Sequence, residues 1–314
     1  MFHILLVALF FSFLSISSFA GDASITMKEA FPSEKTTENL QDNDDNLRAI
    51  IDKTFLDAEQ GDVKSQFALG ALYANGKGVE QDFKKALYWY RKAAEQGYAR
   101  AQFIIGLSYY RGQGEKQDYQ KAIKWFKLSA ENGDTLAQYK LGDMYYSGDG
   151  VTLNYQEAFR WFSVAAKAGT SAAQIDLGYM YSNGLGVTQN YNEALKWFKL
   201  AAEQGNAAGY FNLGLAYERG KGVSKDISKA ISYYETAAQN GYAAASYNLG
   251  ALYGVGELVK QDNINAYLWF SVALYQGMPS CQKQIISLES VMNKTQIKKA
   301  KELFEDWKKH NISE

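Results

Sequence analysis

Glycine recurs every 36 residues in three separate columns, and this repetition constrains the fold more than any other feature of the sequence. The first column contains Gly61, Gly97, Gly133, Gly169, Gly205, Gly241 and Gly277. The second runs with the same step from Gly70 to Gly250, and the third from Gly76 to Gly256. A fixed period of about 20–50 residues is the sequence signature of a solenoid or array. We therefore predict one elongated array of repeats and not two globular domains.

Each repeat, taken first over residues 61–96, predicts two helices. Helix A is expected from about Val63 to Asn75, and it ends at Gly76, because glycine readily adopts the left-handed conformation at a helix C-terminus. Helix B is expected to begin after Asp82, the first of a column of Asp and Asn residues that cap free backbone amides. In two repeats Glu157 and Glu193 stand where the reciprocal half of a capping box is expected.

Three further columns predict how the two helices pack. Glycine inside a helix costs about 1 kcal/mol relative to alanine, so the column of Gly70 predicts close approach of two helices. The aromatic pair Trp89-Tyr90 recurs in helix B, and we interpret it as core and not as a platform that stacks a ligand. Cys281 falls in a column of small residues and is expected to be a packed thiol.

The N-terminal segment predicts export. Residues 1–20 contain no Lys, Arg, Asp or Glu, and an apolar run precedes small residues before Ala20, which is typical of a signal peptide cleaved after Ala20. The alternative is an uncleaved anchor, but the apolar run is shorter than the ~20 residues that span a bilayer. We expect a periplasmic or secreted protein with no stable membrane span.

The remaining boundaries follow from the repeat. An acidic leader without apolar periodicity, predicted to be disordered, occupies 21–45, and a capping helix is expected at 46–60. Six repeats span 61–276, and 277–314 is predicted to form capping helices with one apolar and one lysine-rich face. The six units are 61–96, 97–132, 133–168, 169–204, 205–240 and 241–276.

Composition argues against several functions. The net charge is −1 and the sequence shows no basic cluster of the kind that neutralises a nucleic-acid backbone, so a nucleic-acid partner is not expected. One cysteine and two histidines near the chain ends provide no zinc site and no imidazole base in the repeats, and we predict neither a cofactor nor a metal. Carboxylates such as Asp143 and Asp176 are interpreted as solvated, although a pair of carboxylates in a cleft is the arrangement that a hydrolase would use. We therefore predict that the protein is not an enzyme.

The joint pattern A-x-x-x-L-G-x-x-Y-x-x-G-x-G-V, followed by [DN]-[FY]-x-x-A-x-x-W-[FY]-x-x-A-A-x-x-G, resembles the Sel-one-like repeat family, which is related to tetratricopeptide repeats. The resemblance covers about 61–285. It implies an all-α fold, namely a right-handed α-solenoid of six 36-residue helix–turn–helix repeats with capping half-repeats. It also implies that the protein assembles protein complexes. Cysteine-rich members are associated with penicillin binding, but this chain lacks their cysteine pairs.

The leading functional prediction is a monomeric scaffold that binds a protein or peptide on the concave face. In related solenoids helix A lines that face, and the phase of Leu69 and Gly70 indicates positions 67, 68, 71, 74 and 75 and their equivalents. These positions vary between repeats, and ten residues are the candidate binding set: Leu107, Tyr110, Arg111, Asp143, Tyr146, Tyr179, Asn183, Leu215, Glu218 and Arg219. Tyrosine and arginine are enriched at interface hot spots.

Two alternatives remain beside the scaffold. A regulator of an envelope sensor or secretion machine would use the same surface, so the sequence does not separate it from a scaffold. A cell-wall-acting hydrolase or a β-lactam-binding protein is the alternative from another class, and the sequence disfavours it for want of catalytic residues. Envelope complex assembly, secretion and host-cell interaction are the roles that the resemblance implies.

Overall fold

The structure, a computed structural model, describes residues 40–311, and in this part of the chain it contains fifteen α-helices and no strand. The helices are α1 Leu40–Glu59, α2 Val63–Asn75, α3 Phe83–Glu95, α4 Ala99–Arg111, α5 Tyr119–Glu131, α6 Thr135–Ser147, α7 Tyr155–Lys167, α8 Ser171–Asn183, α9 Tyr191–Glu203, α10 Ala207–Arg219, α11 Ile227–Gln239, α12 Ala243–Val255, α13 Asn263–Tyr275, α14 Cys281–Val291 and α15 Lys294–Asn311.

The chain divides into two compact units, of which the first ends at Leu153 and the second begins at Asn154. Helices A of the repeats are α2, α4, α6, α8, α10 and α12, and helices B are α3, α5, α7, α9, α11 and α13. Within each unit, consecutive helices pack against one another, which is the arrangement of an all-α solenoid.

The predicted helix ends agree with the structure. Helix A of the first repeat spans Val63–Asn75, and Gly76 follows it with a φ of 65°, a left-handed conformation that side chains other than glycine rarely adopt. The Asp82 carboxylate accepts hydrogen bonds from the backbone amides of Lys84 and Lys85, so it caps helix B as expected.

The predicted capping boxes are wrong. The amide of the cap residue Asn190 donates to the carbonyl oxygen of Tyr181 at 2.8 Å, so it is not available to Glu193. The Glu193 carboxylate instead pairs with the Lys196 ammonium, and in the preceding repeat the Glu157 carboxylate accepts from the Arg160 guanidinium. Each glutamate therefore reaches one turn forward along its helix instead of back to the cap.

The glycine inside helix A permits the close helix–helix approach that the sequence predicted. The group that approaches it is an aromatic ring of helix B. A Cβ on Gly106 would lie 2.6 Å from the Phe126 ring, which belongs to helix B of the same repeat. The same contact joins Gly70 to Tyr90 and Gly250 to Phe270. The column of glycines and the column of rings are therefore one packing unit.

A buried glutamine adds a contact that the sequence analysis did not predict. The Gln102 amide nitrogen donates to the carbonyl oxygen of Ala94, near the end of the preceding helix B, at 3.0 Å. Its oxygen accepts from the Asn132 amide at 2.9 Å. Gln66 and Gln174 make the same pair of bonds in their repeats, and Tyr210 replaces the glutamine in the fifth. These side chains satisfy carbonyl groups that helix ends leave free.

The first cap is longer than predicted. Helix α1 begins at Leu40, six residues before the predicted 46, so the end of the segment expected to be disordered at 21–45 is helical. Ile51 and Ala58 of α1 are buried in a cluster with Leu69 and Leu72 of α2. The rest of the leader and the predicted signal peptide at 1–20 lie outside the described residues.

The C-terminal cap folds back over the last repeat. Leu303, Phe304 and Trp307 of α15 pack against the cluster that contains Leu268 and Val272 of α13. Cys281 is fully buried in a second cluster with Ala300, as its column of small residues predicted. Burial raises the pKa of the Cys281 thiol to about 11, so at neutral pH the group is a protonated core side chain.

Candidate functional site

Position 67 and its equivalents belong to the core and not to the candidate surface. The Phe103 ring is 4% exposed and lies 5.6 Å from the Phe126 ring, and Phe211 packs on Tyr234 at 5.7 Å. The prediction was wrong here because these side chains lean toward helix B of their own repeat. The positions equivalent to 71, 74 and 75 carry the ten candidate residues.

In the first unit, two candidates meet at a polar cluster, which we define as Tyr110, Lys140, Asp143 and Asp149. The Tyr110 hydroxyl donates to the Asp149 carboxylate, and the Lys140 ammonium lies 2.7 Å from the Asp143 carboxylate. The same ammonium lies 4.2 Å from the centre of the Tyr110 ring, within the range of a cation–π contact. Tyr110 of α4 is thereby joined to residues of α6 and of the turn that follows it.

The polar cluster holds its charges in a partly dry environment. Lys140 is 7% exposed, and a buried ammonium is stable when a carboxylate and polarisable groups compensate for lost water. Burial, and then the hydrogen bond to Asp149, raise the pKa of the Tyr110 hydroxyl, so it remains a proton donor. The Tyr119 and Tyr110 rings pack edge to face, with 5.3 Å between ring centres.

The other three candidates of the first unit lie near this cluster in sequence. Leu107 and Tyr146 are half-buried, and Arg111 is exposed at the end of α4. Leu107 precedes Tyr110 by three residues and therefore shares its face of the helix. On its helices A, the unit presents apolar, aromatic and charged side chains. Protein interfaces combine these types of side chain.

In the second unit, the candidates divide between surface and framework. Tyr179 is half-buried, and Asn183 is exposed and donates to the Tyr179 carbonyl oxygen at 2.8 Å. The Glu218 carboxylate accepts from the buried Tyr234 hydroxyl at 2.6 Å, so part of its bonding capacity serves the repeat itself. Leu215 packs against the cluster around Tyr234, and Arg219 is exposed.

The charged and metal-binding groups of the described residues bear on the chemistry that this surface can perform. Asp143 is ion-paired with Lys140, so it is not placed as an isolated catalytic acid. Across the described residues, no three His, Cys, Asp or Glu side chains converge as a metal site would require. None of the described helices has the combined length and apolarity to cross a bilayer. The candidate surface offers hydrogen-bond donors, acceptors and aromatic rings.

Sequence reasoning missed two of the four residues in the polar cluster. Lys140 is equivalent to position 68, but nothing in the sequence shows that its ammonium turns inward between Tyr110 and Asp143. Asp149 lies in the turn between helices A and B, where the sequence pattern predicts no contact with Tyr110. The i, i+3 spacing of Lys140 and Asp143 is the signal from which their ion pair could have been predicted.

Comparison with known proteins identifies the repeat. The Sel1 repeat family matches six consecutive segments that together cover more than half of the chain: 63–98, 99–134, 135–170, 171–206, 207–242 and 243–278. Each segment contains one helix A and the following helix B. No curated protein matches the chain.

Two solved structures are similar over most of their length. A Sel1 repeat protein from Oxalobacter formigenes is 34% identical, with a TM-score of 0.61, over 68% of this chain and 86% of that protein. A protective antigen of uropathogenic Escherichia coli that displays an SLR fold is 31% identical over 93% of this chain and 70% of that protein, with a TM-score of 0.47. Repeat spacing, helix pairing and the match to the family model agree, and the chain belongs to the Sel1 repeat family.

Proposed function

We propose that this protein is an exported, non-enzymatic scaffold that binds a protein or peptide through the varying positions of helices A. Membership of the Sel1 repeat family indicates a scaffold for protein–protein interaction, and this fold is typically non-catalytic. The export proposal depends on residues 1–20. Assembly of envelope complexes, secretion and contact with host cells are the roles that fit an exported scaffold.

One observation carries the proposal. The repeated residues are engaged in packing, as with Gly106 against Phe126, whereas the ten candidate residues of helices A are all at least partly exposed. In the first unit Tyr110 is also fixed in orientation by Asp149 and Lys140. A fixed aromatic side chain loses little conformational entropy on binding, which favours affinity.

The test is site-specific photo-crosslinking in cells that produce the protein. A photoreactive phenylalanine replaces Arg111, Tyr146 or Tyr179, and matched controls replace Lys225 or Lys260, which are exposed between helices A and B. We expect the first three positions to capture one common protein and the controls not to capture it. Capture from the control positions alone would contradict the proposed surface.

The captured protein is then purified and titrated against variants of the full chain. Tyr179→Ala and Arg111→Ala are expected to weaken binding by roughly tenfold each, because residues of these types carry most of the energy at interfaces. Unchanged affinity with unchanged helicity would exclude these side chains as contacts. For export, sequencing of the mature N-terminus should find Gly21 first, and a chain that retains Met1 would exclude cleavage.

A further inference from the structure

The outer side of α3 and α5 carries an unbalanced positive charge. Helix α3 contains four basic residues and one acidic residue, and α5 contains three basic residues and one acidic residue. In α9, at the same place in its repeat, two lysines are balanced by Glu193 and Glu203. The excess therefore belongs to particular helices and is not a property of the repeat.

These charges share a face with exposed apolar side chains. Lys84, Tyr88 and Lys92 follow one another at intervals of four residues, so they lie along one side of α3. Phe83 begins the same helix and is 52% exposed, and Tyr88 is 54% exposed. The opposite side of α3 is buried in the repeat.

The equivalent side of α5 has the same chemistry. Lys121, Lys124 and Leu128 are spaced by three and four residues, and Leu128 is 41% exposed. We define the basic face as Phe83, Lys84, Tyr88, Lys92, Lys121, Lys124 and Leu128. Packing does not require an apolar residue at the position of Leu128, because Lys92 and Thr236 stand at equivalent positions, although Val164 and Leu200 do so in two other repeats.

The two halves of the basic face are held side by side through Tyr109 of α4. The Arg91 guanidinium of α3 donates to the Tyr109 hydroxyl at 3.2 Å, and the Lys121 ammonium of α5 lies 5.2 Å from the centre of its ring. Gly114, in the turn before α5, lies close to Leu87 and Phe83 of α3. The face is thus a fixed surface about 20 Å long, from the 1.5 Å rise of thirteen helical residues.

Few carboxylates neutralise the basic face. Asp82 and Asp118 cap the two helices and lie 3.9 Å and 3.7 Å from the ammonium groups of Lys85 and Lys121. Glu115 pairs with Arg91. Lys84 and Lys124 are exposed and form no ion pair in the described structure, so their charges are available to a partner.

We propose that the basic face binds the surface of an anionic phospholipid bilayer. Lysines attract anionic headgroups over a broad plane, and exposed Phe, Tyr and Leu side chains enter the interfacial layer. An acidic protein would satisfy the lysines but gives no reason for three large apolar side chains to stay exposed among them. The proposed attachment is peripheral and acts on a different side of the repeat from the positions of helix A.

The experiment is co-sedimentation of the full-length protein with two vesicle types, pure phosphatidylcholine and equal parts of phosphatidylcholine and phosphatidylglycerol. We expect binding to the anionic vesicles alone, weakened by added salt because the attraction is screened. The variant Lys84→Glu/Lys92→Glu/Lys124→Glu is expected to lose roughly tenfold or more of this binding. A protein that does not bind anionic vesicles overturns the proposal.

A matched control separates location from total charge. Lys225→Glu/Lys260→Glu/Lys283→Glu changes the net charge by the same amount at exposed sites in the second unit, and it should bind as the original chain does. Equal loss in both triple variants contradicts a specific face. Tyr88→Ser/Leu128→Ser should weaken vesicle binding; if it does not, and polyglutamate competes fully, the partner is an acidic polypeptide and the proposal fails.

Discussion

Helices α3 and α13 are both helices B, but their outward positions are in opposite environments. In α3 these positions carry Tyr88 and Lys92, which are exposed. In α13 they carry Leu268 and Val272, which are 9% and 0% exposed because α15 covers them. The repeat therefore fixes the inner side of helix B and leaves the outer side free to be solvated, basic or covered.

This difference shows how the array ends. A helix B that is apolar on all sides needs a covering element, and α15 supplies Leu303, Phe304 and Trp307 for this purpose. Helix α3 needs no covering element, because its outer side carries lysines that are exposed to water. The sequence of α13 thus indicates the C-terminal end of the array, in agreement with the role of polar-backed terminal caps in repeat proteins.

The largest predicted effect comes from placing a charge beneath α15. Val272→Asp puts a carboxylate where no water reaches it, so we expect a loss of at least about 3 kcal/mol in the free energy of unfolding. Urea denaturation followed by circular dichroism measures the loss. The control Leu128→Asp changes the equivalent position of α5, which is 41% exposed, and should cost less than about 1 kcal/mol. Equal losses would show that the two outer surfaces do not differ.

A second prediction tests whether the inner side is the same in both regions. A Cβ at Gly106 or Gly250 would lie 2.6 Å or 2.8 Å from a helix B ring, so alanine at either position should destabilise the fold by about 1–2 kcal/mol. The two losses should agree in urea denaturation, because the ring contact is the same.

Gly254 provides the control for this pair. It lies in the last turn of α12, and its nearest neighbour would be the Ala266 Cβ at 3.6 Å, an ordinary contact. Gly254→Ala should therefore stabilise the protein, by up to about 1 kcal/mol, because alanine favours the helix. A stabilising Gly106→Ala would show that the ring moves aside freely, and close packing would no longer explain the column.

The sequence predicted the packing features that repeat, and it missed the contacts that occur only once. Gly106 and Phe126 belong to columns, so their repetition along the sequence indicated the helix ends and the packing. The bond between Tyr110 and Asp149 occurs in one place, and no column reports it. The direction of the Phe103 side chain was also missed, because periodicity places a residue on a face but does not say how far that face extends into the core.

The C-terminal cap was predicted in part for the same reason. The apolar face of α15 was visible from the spacing of Ile297, Ala300, Phe304 and Trp307, and the structure buries Ala300 completely. The partner of that face was not predicted, although Leu268 is apolar at a position where other helices B carry Lys124, Arg160 or Lys196. That break in the columns was the available signal. The helical start at Leu40 had no such signal, because the segment before 46 is polar.

The smallest predicted effect concerns the charges of the C-terminal cap. It tests whether ion pairs hold α15 in place. Glu289 of α14 accepts from the Tyr267 hydroxyl at 3.0 Å and lies 3.7 Å from the Lys301 ammonium of α15. Burial, and then Glu289, raise the pKa of Tyr267 to about 12, so the hydroxyl is protonated at neutral pH and donates. Because the Lys301 pair is solvent-exposed, we expect Glu289→Gln to cost less than about 1 kcal/mol in urea denaturation, with a smaller loss at high salt. Lys301→Gln should cost still less, because it leaves the hydrogen bond to Tyr267 in place. A loss from Glu289→Gln as large as that from Val272→Asp would mean that α15 is held by charge, and the contrast between α3 and α13 would then rest on electrostatics instead of apolar burial.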